Sequence, residues 1–487
     1  LALVGGDIQL DGGNLTASTG KIFLGSVASP GLVSFESTPF GLNLNYDNIG
    51  NFGNIEILNG SLVNTSGLGG GKVDIRGGNV TVSGARIYGL TLGNIDGRGI
   101  NINAQNLRVE RGAQIFTQTL ADGKGSDINI RATDSVEISG LGIEGYQRFY
   151  SQYLVSGTLN PFDSQLVLIS GTVGSGASGD INIDTGQLLL RDGVVSGTAT
   201  LGTGNGGNMN IRANTVEILT SAINNGTTRE SAGEGGSITV EAQRLIMRDG
   251  SNLVSISRSD GTSGNIAIKT NESVELSGSL PGSTAQSILS TSSFDGNGKA
   301  GDITIDTKRL IVSDGAAISL GTGVLLGQTV FSTNGGLGGN LIVTASESVE
   351  VSGESGVLGD VGFAPSSINT LTASAGRGGD IRLSTPLLTL RDGGLISVAS
   401  LGAADAGNIT LNADRIEVQG ISRNRGLSSR IEASAGTLLN FNNPNATGNA
   451  GSLNVNAREL NIKDGATFNV RALGTGSAGN ILSLIHI

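Results

Sequence analysis

Short runs in which aliphatic and polar residues alternate recur along nearly the whole chain, each opened by glycine and then Asp, Asn or Ser. Examples are Gly179-Asp180-Ile181-Asn182-Ile183, Gly301-Asp302-Ile303-Thr304-Ile305 and Gly407-Asn408-Ile409-Thr410-Leu411. A period of two puts Ile303 and Ile305 on one face and Thr304 on the other, the pattern of a half-buried strand. A second apolar run, Leu310-Ile311-Val312, is stopped by Ser313-Asp314-Gly315 and leads to a third, Ala317-Ile318-Ser319. Asp and Gly there supply turn chemistry. Three short strands separated by corners thus make one unit.

The opening residue falls clearly at Asp180, Asn208, Ser237, Asn265, Asp302, Asn340, Asp380, Asn408, Ser452 and Asn480, at intervals of 28 to 44 residues. Weaker copies stand at Asn54, Asp74, Asn101 and Asp127. The 28-residue interval carries the register, and the longer ones are that unit with insertions. A fixed phrase at such a period marks stacked repeats whose inward aliphatics form one continuous core. The expected fold is all-β, a parallel β-helix of about fifteen coils and, at ~4.8 Å per coil, on the order of 70 Å long.

Two kinds of unit alternate. One carries a turn with Asp192, Asp249, Asp314, Asp392 or Asp464 before glycine; the other carries an outward glutamate, Glu137, Glu217, Glu275, Glu350 or Glu417, in its second strand. Overlaying the second strands places Leu189, Ile246, Ile311, Thr389 and Asn461 opposite those glutamates. Glutamates in every coil would stack ~5 Å apart; alternation moves them to ~10 Å, near the Debye length.

Composition narrows the function. Eighty glycines, no tryptophan, no cysteine and 3% aromatic residues do not resemble ordinary enzyme cores. Without cysteine there are no disulfides and no thiolate metal sites. A net charge of −11 with scattered Lys and Arg makes nucleic acid a poor partner. No run reaches the ~18 apolar residues of a membrane helix. The one histidine, His486, lies in a closing segment, residues 483–487, that resembles a translated sequencing adapter and is set aside.

The turn aspartates admit a reading as calcium ligands or catalytic carboxylates. A residue repeated in every second coil is better read as a structural turn, and the glycine-rich nonapeptide of calcium-binding β-rolls is absent. Glycine-rich runs at 204–208 and 335–339 are corners, since no Gly-Lys-Ser/Thr follows. No catalytic residue, metal ligand or cofactor is assigned. The insertions, residues 141–170, 280–299, 321–338, 353–378 and 421–450, are expected at one corner of the rod, where inserted loops form binding faces. The first holds Tyr146, Phe149, Tyr150, Tyr153 and Phe162. These are candidate binding residues for sugar rings or a protein partner. The alternative is an arm folded over outward apolar residues such as Leu189.

The opening phrases Leu3-Val4-Gly5-Gly6-Asp7-Ile8, Gly12-Gly13-Asn14-Leu15-Thr16-Ala17 and Gly20-Lys21-Ile22-Phe23-Leu24-Gly25-Ser26-Val27 resemble the end of the secretion domain of filamentous-haemagglutinin-like exoproteins. Residues 36–482, with their Gly-Asn-Ile, Arg-Asp-Gly and Val-Glu-Ile-Ser-Gly phrases, resemble the repeat region of large cyanobacterial-type members. Residues 1–35 are then a remnant of the secretion domain, whose Asn-Pro-Asn-Gly motif is missing, as in a chain truncated at both ends. The resemblance implies two-partner secretion: passage through an outer-membrane barrel transporter, then folding outside into a right-handed β-helix. A secreted or cell-surface adhesin or matrix component, not an enzyme, is the expected function, with glycans or neighbouring cell surfaces as partners. The alternatives are a polysaccharide lyase or hydrolase on the same scaffold, and a spacer stalk for a missing C-terminal effector.

Overall fold

The computed structural model describes residues 1–485 except 39–40, 157–159, 161–162, 281–284, 327–328, 333–334, 357–363 and 439–440. In it the alternating runs pair in parallel into two long sheets of 18 and 14 strands. In the first sheet Ile181–Arg191 pairs with Met209–Leu219, which pairs with Ile238–Arg248, placing Ile181, Met209 and Ile238 in one column. In the second, Val195–Thr200 pairs with Ala222–Thr227 and that with Asn252–Ser257. The molecule is a parallel β-helix.

The three-strand coil holds only at the start, where Lys72–Arg76, Asn79–Ser83 and Arg86–Thr91 are separate. From Gly99–Glu110 onward the first two strands run together as one long strand. A bend replaces the expected corner. Two consecutive outward residues, such as Lys308 and Arg309, break the alternation there, and the pairing shifts register between Thr307 and Arg309. The strands of residues 1–26 belong to the same stack: Ala2–Gly5 pairs with Lys21–Ser26, which pairs with Lys72–Arg76. Ile481–Ile485 likewise pairs with the preceding coil.

Inside, Ile303, Ile305, Leu310, Val312, Ile318 and Leu320 of one coil are fully buried and stack on their counterparts above and below. Each such side chain contributes about 1.5–3 kcal/mol relative to exposure. Inward positions of the second sheet also carry hydroxyls. Thr198 Oγ1 donates to Gly207 O and Thr370 Oγ1 to Gly379 O, both at 2.7 Å; Thr119 donates to Gly123 O at 2.7 Å and Thr172 to Gly176 O at 2.6 Å. These bonds satisfy corner carbonyls that the sheets leave over.

The recurring glycine and its polar successor form the corner that opens each coil. The backbone N–H of Asp180 donates to Asp127 Oδ1, that of Asn208 to Asp180 Oδ1, and the chain of bonds continues through Ser237, Asn265, Asp302, Asn340, Asp380, Asn408, Ser452 and Asn480 at 2.7–3.2 Å. Asp, Asn and Ser interchange because each offers a short side-chain oxygen. A Cβ on Gly207, Gly264, Gly339, Gly407 or Gly451 would overlap the carbonyl oxygen of the glycine one coil below.

Gly407→Ala is therefore expected to cost about 3 kcal/mol. Gly5→Ala, with nothing within 4 Å of the added carbon, is expected to change stability by less than about 0.5 kcal/mol. Urea midpoints of the two variants check this.

Candidate functional site

Most of the places where the repeat is broken gather around the strands of the second sheet; one, the antiparallel hairpin Ser34–Thr38 with Gly41–Asn45, is instead inserted between the first-sheet strands Lys21–Ser26 and Ile55–Leu58. Before the second-sheet strands, after the glutamate strands, come the helix α1 (Ile143–Ser156) and loops closed by the bridges Ser279 to Gln286, Glu354 to Pro365 and Ile421 to Ser428. Beyond the other end of the strands stand two antiparallel hairpins, Val324–Leu326 with Thr329–Ser332 and Thr437–Leu438 with Phe441–Asn442. The expectation of a single corner is thus corrected. Residues 321–338 and the latter part of 421–450 leave from the opposite edge of the same sheet.

α1 is a local helix that the sequence reading did not anticipate. Tyr146, Phe149, Tyr150 and Tyr153 recur at helical spacing, Gly142 enters with φ of 100°, and Glu144 lies in the first turn, where a carboxylate suits the helix dipole. The helix lies on the outer face of the second sheet. Tyr146 and Phe149 are buried there with Phe116, Leu166, Ile169, Val195 and Ala222. The space left beneath Phe149 is about 20 Å³, room for nothing larger than a water. Neither ring is presented to a ligand, so these two candidates are corrected to anchors of the helix. Leu189 sits on the first sheet between Glu137 and Glu217, outside the cluster that Tyr146 and Phe149 join. The side chains of Tyr150 and Tyr153, and all of Phe162, lie outside the described residues.

Tyr146 is tied down by polar contacts as well. Its hydroxyl donates to Gly250 O at 3.2 Å and accepts from the Asn252 amide. Burial pushes its phenol pKa well up, against the opposing effect of the Asn252 bond. A neighbouring clip crosses the far edge of the sheet. Asp295 accepts from Arg258 at 2.6 Å and Arg229 at 3.0 Å, with the Arg258 side chain 2% exposed. Burial alone would raise the Asp295 carboxyl, but the bonds and charges of the two guanidiniums hold it below its usual value.

The five turn aspartates have φ of 53–61° and their following glycines 78–90°, the signs of a type I′ turn. The arginines before them do something the sequence reading missed. Arg191 bonds Glu137 through Nε at 2.9 Å and Nη2 at 2.7 Å, Arg391 bonds Glu350 at 2.6 Å, and Arg248 stands 3.7 Å from Glu275. The two unit types are thus coupled by ion pairs between coils.

Among the described residues no three His, Cys, Asp or Glu side chains stand together to hold a metal, and no helix is long and apolar enough to cross a membrane. Compared with protein-family models, curated proteins and solved structures, the chain matches none. The site offers a broad face edged by non-repeating elements, suited to contact with a large partner.

Tyr146→Phe is expected to cost about 1–2 kcal/mol, because the buried Asn252 amide loses a partner; thermal unfolding measures it. Asp295→Ala is expected to cost about 2 kcal/mol at pH 7. With its folded pKa depressed, Asp295 contributes stability above its unfolded pKa of about 3.9, lost as pH falls through the folded value. The difference between parent and variant should therefore shrink below about pH 4 in a pH series of urea melts.

Proposed function

We propose that this chain is a secreted or surface-exposed β-helical exoprotein of the filamentous-haemagglutinin-like kind, acting as an adhesin or matrix component. The observation that carries the reading is the gathering of helix, loops and hairpins at both ends of the second-sheet strands. A rod whose insertions lie mostly along one face is suited to holding partners along its length.

Export by two-partner secretion fits the direction of the corner bonds. Each new coil brings an N–H to a side-chain oxygen already placed by the coil before it, as Asn208 does on Asp180 and Asn408 on Asp380. A chain emerging N-terminus first therefore folds onto a finished template, and each coil formed outside opposes return. The absence of cysteine suits passage unfolded into an oxidising compartment.

The test is attachment of purified protein to bacterial cells and their extracellular matrix. Joining residues 279 to 286, 354 to 365 and 421 to 428 by short turns is expected to lower attachment about tenfold or more, with the far-ultraviolet circular dichroism of the rod unchanged. Attachment that survives all three deletions in full contradicts the reading. A full-length product found in the cytoplasm contradicts the export route.

A further inference from the structure

The outer side of the bend in the first sheet is treated differently in the two halves of the rod. In the C-terminal half cross-coil ion pairs bridge it: Arg309 with Glu347 at 3.2 Å, Arg415 with Glu459 at 2.7 Å, and Arg458 with Asp414 at 3.0 Å. In the N-terminal half the same line is an open groove of about 720 Å³, within the size range of ligand sites. Gly77, Gly78, Ala104 and Gly186 keep it deep. Its lining comes from six coils, ~24 Å along the rod.

One wall is a column set by strand register. Arg76 stands beside Asn103, Asn103 beside Arg131, and Arg131 beside Asp184. Further along, the column neutralises itself, with Arg212 bonded to Glu241 at 2.9 Å. Among the described residues, neither Arg76 nor Arg131 has a carboxylate within ion-pair distance. Arg76 is instead held in place, its guanidinium 4.7 Å from the centre of the Phe52 ring and 5.3 Å from that of Tyr46. The two guanidiniums are two coils apart, ~10 Å, with the Asn103 amide between them. Gln105 and Thr133 also line the groove, each donating to the Asp134 carboxylate beside it, at 2.8 and 3.1 Å.

We infer that this groove binds a linear acidic polysaccharide laid along the rod axis, with sugar carboxylates on Arg76 and Arg131. Guanidiniums at a fixed spacing match carboxylates that recur along a chain. The Asn103 amide between them matches a sugar hydroxyl, and the carboxylates of Asp184 and Asp134 bound the acid-binding stretch by repulsion. A peptide is a poorer fit: no apolar pocket receives side-chain anchors, and the strands beneath are already paired on both sides, leaving no edge for an added strand. This rests on the reading of the rod as a binding scaffold and names one of its ligands, at a place separate from the inserted loops.

The test titrates the whole protein calorimetrically with an oligogalacturonate long enough to span ~24 Å, and with its methyl ester, in which the carboxylates are neutral. Binding of the acid form, weakened by salt, with the ester at least about tenfold weaker, is expected. Arg131→Ala should weaken binding of the acid about tenfold or more. Asn103→Glu should abolish it while preserving the fold, because it supplies both arginines with an ion-pair partner. Arg309→Ala, in the bridged half, should leave it unchanged. No binding of the acid form, equal binding of the ester, or indifference to Asn103→Glu overturns the inference. If cell attachment still depends on the inserted loops in that case, the adhesin reading stands and only the groove assignment falls.

Discussion

Two turns of backbone can stack around a corner at strand spacing only if nothing projects between them. Gly207, Gly264, Gly339, Gly407 and Gly451 meet that condition by having no side chain where the carbonyl of the coil below passes. The residue after each glycine then converts the close approach into a bond, its side-chain oxygen taking the N–H of the next coil, as from Asp302 to Asn340 at 2.8 Å. This contact holds the coils in one register. The aliphatic stacks, the hydroxyl column and the charge columns depend on that register, because a slip of one residue would turn every strand inside out.

The same register makes the outer faces readable as columns. Glu137, Glu217 and Glu275 are separated by Leu189 and Ile246, which limits repulsion, while Arg191 and Arg248 reach across to the glutamates of neighbouring coils. Attraction is added to dilution. Since the strands of each coil pair only with those of its neighbours, a corner can carry an extra loop or helix without disturbing the stack, so variation collects mostly beside the second sheet. Where the first sheet bends, the balance of filled and open positions distinguishes one half of the rod from the other.

Much of this was legible in the sequence because the repeat aligns itself. The glutamate column and its partners Ile311, Thr389 and Asn461 fall in the register that overlaying the phrases requires. The bend was not, because a strand turning through Lys308 and Arg309 needs neither glycine nor proline; its signal is two outward residues in succession. The helix was hidden for a similar reason. Tyr146, Phe149, Tyr150 and Tyr153 were read as an aromatic cluster, although their three- and four-residue spacing is a helical stripe. The Arg191–Glu137 pairing joins residues 54 apart in sequence, and only the stacked columns bring them together. The groove depends on the bend, so it stayed out of sight with it.

The most direct measurement of the central claim is amide hydrogen exchange along the chain, resolved at the corners by mass spectrometry or nuclear magnetic resonance. If the corner bonds set the register, the N–H groups of Asn208, Asn265, Asn340 and Asn408 exchange as slowly as those of the adjoining strands. If they exchange at the rates of unstructured peptide while the strands remain protected, the coils are held by the core alone and the account of the corners is wrong.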